Sequence, residues 1–128
     1  MKYSRTPQNW LAKFRCAISG LVFGFREQRS FRVHLPCAVV VVALAVWLDL
    51  ERMPFCTLLL CVGIVLGAEL LNTGLEYLAR AVTDEVNEDV RRALDVSGGA
   101  VLMVALVAAI VGLVILVPPI LEGLSIQL

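Results

Sequence analysis

The chain has 128 residues, 59% hydrophobic and 17% charged, with a formal net charge of zero and a mean hydropathy of +0.86. A soluble domain averages about 45–50% apolar and about 25% charged residues, so the composition excludes an ordinary soluble globule and points to a bilayer. Zero net charge also leaves no basic footprint for a nucleic-acid partner.

In chain order, the N-terminal stretch MKYSRTPQNWLAKFRCAISG has no uninterrupted apolar core ahead of a small-residue cleavage site, because Lys13 and Arg15 break it. It therefore reads as part of the mature protein rather than as a secretory signal. Between Trp10 and Arg29, the residues Leu11, Phe14, Ile18, Leu21, Val22 and Phe25 recur at helical steps among Lys13, Arg15, Arg26 and Arg29. This spacing predicts an amphipathic helix over about 8–29 that lies on the membrane surface.

Three apolar segments follow. The first, 31–48 (FRVHLPCAVVVVALAVWL), has Arg32 and His34 at its start and Trp47 at its far end, where an aromatic ring suits a membrane interface. Arg32 and His34 are candidate contacts for a lipid phosphate or headgroup, with interfacial snorkelling as the other account, the one favoured for His34. The second, 54–82, opens on Pro54, which suits a first helical turn. The third, 94–117, contains a charge-free run of 21 residues, VSGGAVLMVALVAAIVGLVIL, long enough to cross a hydrocarbon core of roughly 30 Å. Pro118 and Pro119 are expected to close it, and Ser97, Gly98, Gly99, Ala100 and Ala105 suit close helix contact.

Of the 11 Lys and Arg residues, seven lie before or at the start of the first span, Arg80, Arg91 and Arg92 flank the second connection, and Arg52 alone falls on the other side. The positive-inside rule then places the N-terminus and the 83–92 connection in the cytoplasm. Cys16, Cys37, Cys56 and Cys61 show no CxxC spacing and read as small buried hydrophobes.

The second segment carries GAELLNTGLEYLARAV (67–82), in which polar groups interrupt an apolar background. At 100° per residue, Glu69, Asn72, Glu76 and Arg80 project at about 0°, 300°, 340° and 20°, with Leu70, Leu78 and Ala81 on the opposite face. An ionisable stripe in a span faces either protein or a wet cavity. One account is a polar clamp, with Glu76 and Arg80 as an i, i+4 ion pair and Asn72 bonded to a neighbouring helix. The clamp leaves Glu69 without a partner about two turns deeper, where a carboxylate takes up a proton or serves a task. The task is chemically available, since one buried carboxylate suits a general base for a hydroxyl and a second suits a divalent cation carrying phosphates.

AELLNTGLE (68–76), RSFRVHL (29–35) and TDEVNEDVRRALDVSGGAV (83–101) together resemble motifs of the small prokaryotic diacylglycerol kinases and undecaprenol kinases, and the resemblance covers nearly the whole chain. It implies an all-α membrane protein forming one membrane domain over 1–128, with a surface helix, three transmembrane helices and a homotrimeric bundle. It also implies a multi-pass protein of the bacterial inner membrane that uses ATP and Mg2+ to phosphorylate a lipid alcohol at the cytoplasmic face. By the same resemblance Glu69 is the general base, Glu76 binds metal and nucleotide, and Asn72 supports the site. Glu85, Asn87 and Asp95 then touch nucleotide, while Arg32 and Gly98 lie beside the site or its substrate. ELLNT looks closer to the undecaprenol kinases. No GxxxxGK[ST] motif occurs, and none is required, because phosphoryl transfer rests mainly on positioning and charge neutralisation.

Three positions depart from the family pattern. Gln28 stands where a second metal-binding Glu is usual, Arg80 where Asp is usual, and Leu94 where Lys is usual. One expectation is that Arg80, always charged, takes over as phosphate ligand while Gln28 offers a carbonyl oxygen to the metal. The alternative is a catalytically impaired member, in which Arg80 only pairs Glu76 and the assembly binds lipid or nucleotide as a scaffold. A third reading makes the Glu stripe part of a small transporter or proton-conducting subunit.

Overall fold

A computed structural model describes residues 9–27 and 30–125, so Gln28 lies outside the described residues. Those residues form four α-helices and no strand: α1 Trp10–Glu27, α2 Phe31–Trp47, α3 Arg52–Val82 and α4 Glu88–Ser125.

Helix α1 starts where the Asn9 side-chain oxygen accepts the Ala12 N–H at 2.8 Å, satisfying one of the orphan donors of the first turn. Its axis stands at 103° to that of α2, which leaves Leu11, Phe14 and Ile18 exposed. The far end of α1 is anchored. Phe23 meets Tyr77 of α3 with ring centroids 5.1 Å apart, and Phe25 meets Phe31 of α2 edge-on at 4.8 Å. Between these rings Gly24 lets the backbone approach Leu70, since a Cβ there would fall 2.5 Å from the Leu70 Cδ2.

Helix α2 ends in a Schellman turn: the Leu50 N–H donates to the Ala45 carbonyl at 3.2 Å and the Asp49 N–H to that of Val46 at 3.1 Å. Asp49 takes the left-handed conformation, φ 48°, which short polar side chains tolerate. The chain thus reverses within four residues. Pro54 falls in the first turn of α3, where a missing N–H costs no intrahelical bond. Helix α2 then returns along α3, with Ala45 beside Leu58, and both pack on Leu116 of α4.

Helices α3 and α4 are each long and apolar enough to cross a membrane, whereas α2, with 17 residues, reaches that length only together with α1. Leu60, Leu71, Leu102, Leu106 and Ile110 are all exposed, so the exterior of the helices is apolar, as a lipid environment requires.

Three expectations need correction. Helix α4 does not close at Pro118 and Pro119 but runs through them to Ser125. The prolines remove the N–H partners of the Val114 and Ile115 carbonyls, yet their fixed φ is helical, and lipid-spanning helices tolerate them. Cys16, Cys37 and Cys56 are exposed rather than buried, and only Cys61 is partly covered. An apolar solvent gives a small apolar side chain no reason to turn inward. Finally, Gly98 and Gly99 make no close helix contact among the described residues, because a Cβ at either would meet nothing within 4 Å.

The Gly24 contact yields a prediction. Gly24→Leu overpacks the α1–α3 junction and is expected to cost about 1–3 kcal/mol, lowering the thermal unfolding midpoint in detergent. Gly20→Leu serves as control, since a Cβ there meets nothing within 4 Å, and it does not lower the midpoint, because it relieves a mid-helix glycine without a clash.

Candidate functional site

Helix α3 carries the polar stripe and its neighbours complete it. Phe31 is 1% exposed and fixes the rotation of α2 about its axis. His34 follows on the same face one turn later. The His34 Nε2 consequently lies 3.0 Å from Oε1 of Glu69, with side-chain exposures of 26% and 6%. Glu69 therefore has a partner, contrary to the sequence expectation. The partner comes from another helix, and the pairing depends on the α2–α3 register.

Thr73, one turn after Glu69 and at about 40° on the same side, is buried with it, and its hydroxyl donates to the Glu69 backbone carbonyl at 2.8 Å. Three helices surround this part of α3, so its covered arc is wider than one stripe. The side-chain amide of Asn72 donates to Oε1 of Glu76 at 2.9 Å. Its carbonyl oxygen accepts the hydroxyl of Ser97 on α4, which locks the polar ends of α3 and α4 together.

Arg80 closes the stripe. Its Nη2 lies 3.5 Å from Oε2 of Glu76, with side-chain exposures of 62% and 35%, and its Nε donates to the Glu76 carbonyl at 3.3 Å. The guanidinium also sits 4.4 Å above the Tyr77 ring. So exposed an ion pair contributes at most about 1 kcal/mol. The arrangement therefore orients Arg80 without consuming its capacity to meet an anion.

The remaining candidates lie around the 83–87 connection. The Glu85 N–H donates to the Thr83 hydroxyl at 3.1 Å, which leaves the Glu85 side chain exposed. Asn87 caps α4, its side-chain oxygen accepting the N–H groups of Asp89 at 3.0 Å and Val90 at 3.1 Å. Asp95 lies 3.5 Å from Arg91, which also grips Glu88 at 3.1 and 2.5 Å. Arg32 and Gly98 are exposed, and Leu94 is half-buried.

A Mg2+ ion is commonly bound by one or two carboxylates with the rest of its shell supplied by substrate phosphates and water. Glu76, partly exposed at the polar end of α3, fits that mode. Among the described residues no group of three or more acidic, His or Cys side chains forms an all-protein cage.

Sequence reasoning missed the contacts made by His34, Ser97 and Tyr77. Each acts through a contact between helices or with a neighbouring side chain on the same helix, and none stands out from the background by spacing. The one available signal was that His34 shares a helix face with Phe31.

Residues 15–116 match the prokaryotic diacylglycerol kinase family. The chain belongs to this family. It is 40% identical over 115 residues to a diacylglycerol kinase of Synechocystis sp., covering 89% of this chain and 66% of that one. An undecaprenol kinase of Bacillus subtilis is 30% identical over 93 residues, or 73% of this chain and 76% of the relative. A diacylglycerol kinase of Escherichia coli is 29% identical over 97 residues, 76% and 80% of the two chains. The relatives are lipid kinases, and the matched segment includes the whole polar stripe as well as positions 28 and 94.

The bond between Asn72 and Ser97 is testable. Ser97→Ala is expected to destabilise the protein by about 0.5–1.5 kcal/mol, as loss of one partly buried hydrogen bond does. The Asn72→Ala, Ser97→Ala double variant should lose less than the sum of the singles in detergent unfolding. Strict additivity would mean that the two side chains do not interact.

Proposed function

We propose that this family member phosphorylates a membrane lipid alcohol of the diacylglycerol or undecaprenol class, using ATP at the cytoplasmic face of a bacterial inner membrane. The observation that carries this reading is a buried carboxylate, Glu69, at the buried end of a family-matched polar stripe in an otherwise apolar helix. We read α2, α3 and α4 as the three spans, α1 as a surface helix, and the assembly as a homotrimer forming one membrane domain over 1–128. The exposed apolar face of α1 and the Lys and Arg residues gathered at its end of the spans support the topology and orientation.

In this mechanism Glu69 accepts the proton of the lipid hydroxyl as its oxygen attacks the γ-phosphorus. The bond from that phosphorus to the bridging oxygen breaks, and ADP leaves with the bond's electrons. Bound Mg2+ would neutralise phosphate charge, with Glu76 as its ligand and Gln28 as a further oxygen donor. Asn72 holds the Glu76 carboxylate through the 2.9 Å bond. Arg80, oriented by Tyr77 and Glu76 yet 62% exposed, meets the phosphates in place of the missing Lys. Glu85, Asn87 and Asp95 border the nucleotide, and Arg32 and Gly98 border the lipid.

The Arg80–Glu76 pair favours a second reading, a non-catalytic member that binds lipid or nucleotide as a scaffold. Transfer of labelled γ-phosphate from ATP into lipid in mixed micelles separates the two. Glu69→Gln is expected to lower the rate about 10²–10⁴-fold, the range for loss of a general base, and chelation of Mg2+ should stop it. Arg80→Ala is expected to lower it at least about tenfold, as loss of a charged hydrogen bond would, with the assembly intact by size-exclusion chromatography. Equal labelling by wild type and Glu69→Gln would refute the kinase reading. An unaffected Arg80→Ala would refute the phosphate role alone.

A further inference from the structure

The proposed base is held by a residue to which the kinase reading assigns no role. Glu69 is 6% exposed at its side chain, and a carboxylate so buried requires a hydrogen-bond donor. The nearby polar side chains on α3 are committed elsewhere. Thr73 donates to the Glu69 backbone carbonyl, and Asn72 donates to Glu76. His34, 3.0 Å away, is the one side-chain partner of the Glu69 carboxylate among the described residues.

An ionised carboxylate only accepts hydrogen bonds, so the contact requires a proton on Nε2 of His34 and thereby fixes the imidazole tautomer. The mounting is rigid, because Phe31 one turn earlier is fully buried and packs edge-on against Phe25. His34 also lines one wall of an apolar cavity of about 610 Å³ between α2, α3 and α4, together with Val33, Cys37, Val41, Val65 and Ala108. The His34–Glu69 pair thus stands where apolar space meets the polar stripe.

We propose that His34 is the positioning residue for the Glu69 carboxylate: its Nε2–H holds Oε1 and leaves Oε2 to take the proton of the substrate hydroxyl. His34 keeps its own proton throughout, so no charge moves onto the imidazole. The inference rests on the reading of Glu69 as general base, and it adds a requirement for a donor on α2 at the reach of a His side chain.

The test compares His34→Ala and His34→Gln in the lipid-labelling assay with varied ATP. His34→Ala is expected to lower kcat about 10–100-fold, the scale of a misplaced catalytic group, with KM for ATP changed less than about twofold. His34→Gln restores an N–H donor at similar reach and is expected to recover at least about tenfold of a full hundredfold loss. In the Glu69→Gln background, His34→Ala adds no further loss.

Wild-type kcat in His34→Ala, a Gln variant no faster than the Ala variant, or a change confined to KM would each overturn the assignment. Should His34→Ala fail to fold by thermal unfolding in detergent, His34→Gln decides alone: a rate near wild type supports the donor role, and a loss as large as that of Glu69→Gln overturns it. A wild type that transfers no phosphate overturns the kinase reading and this inference with it. An active wild type with an unaffected His34→Ala overturns this inference only.

Discussion

A carboxylate buried among apolar helices stays ionised only where a polar partner lies beside it, and in this chain the requirement at Glu69 organises its surroundings. The neighbour is His34, its Nε2 3.0 Å from Oε1 of Glu69, and it reaches Glu69 only because α2 and α3 pack in one register. That register is set at the far end by the Schellman turn after α2 and by Ala45 against Leu58. At the near end it is set by Phe31, wedged beside Phe25 of α1. Packing that looks remote from the stripe is therefore what positions it.

The second half of the stripe follows the same logic with a different neighbour. Ser97 of α4 and Glu76 of α3 occupy both ends of the Asn72 amide, so a single side chain couples the two long helices at their polar ends. Arg80 and Glu76 are partly exposed, and the charges at the start of α4 pair with one another at the surface. Burial thus falls along one helix from Glu69 to Arg80. This gradient matches a reaction in which a hydroxyl from the lipid side meets a polyphosphate from the water side.

Much of this was legible in the sequence because helical periodicity is a local property. The apolar steps of α1, the all-helical architecture and the common side shared by Asn72, Glu76 and Arg80 all follow from 3.6 residues per turn. What depends on neighbouring helices was not legible. His34 passed for an interfacial side chain because its partner lies 35 positions away. The prolines and cysteines misled for a different reason. Rules from soluble proteins take water to be the alternative to burial, and for these segments the alternative is lipid.

The account stands on the stripe performing phosphoryl transfer to a lipid rather than serving only as a clamp between helices. The most direct measurement is phosphorus NMR of the wild-type protein in bicelles with Mg-ATP and a lipid alcohol, following every phosphorus species together. The account predicts one lipid phosphomonoester for each ADP formed, with little inorganic phosphate. Unchanged ATP, or turnover that ends only in inorganic phosphate, would contradict it.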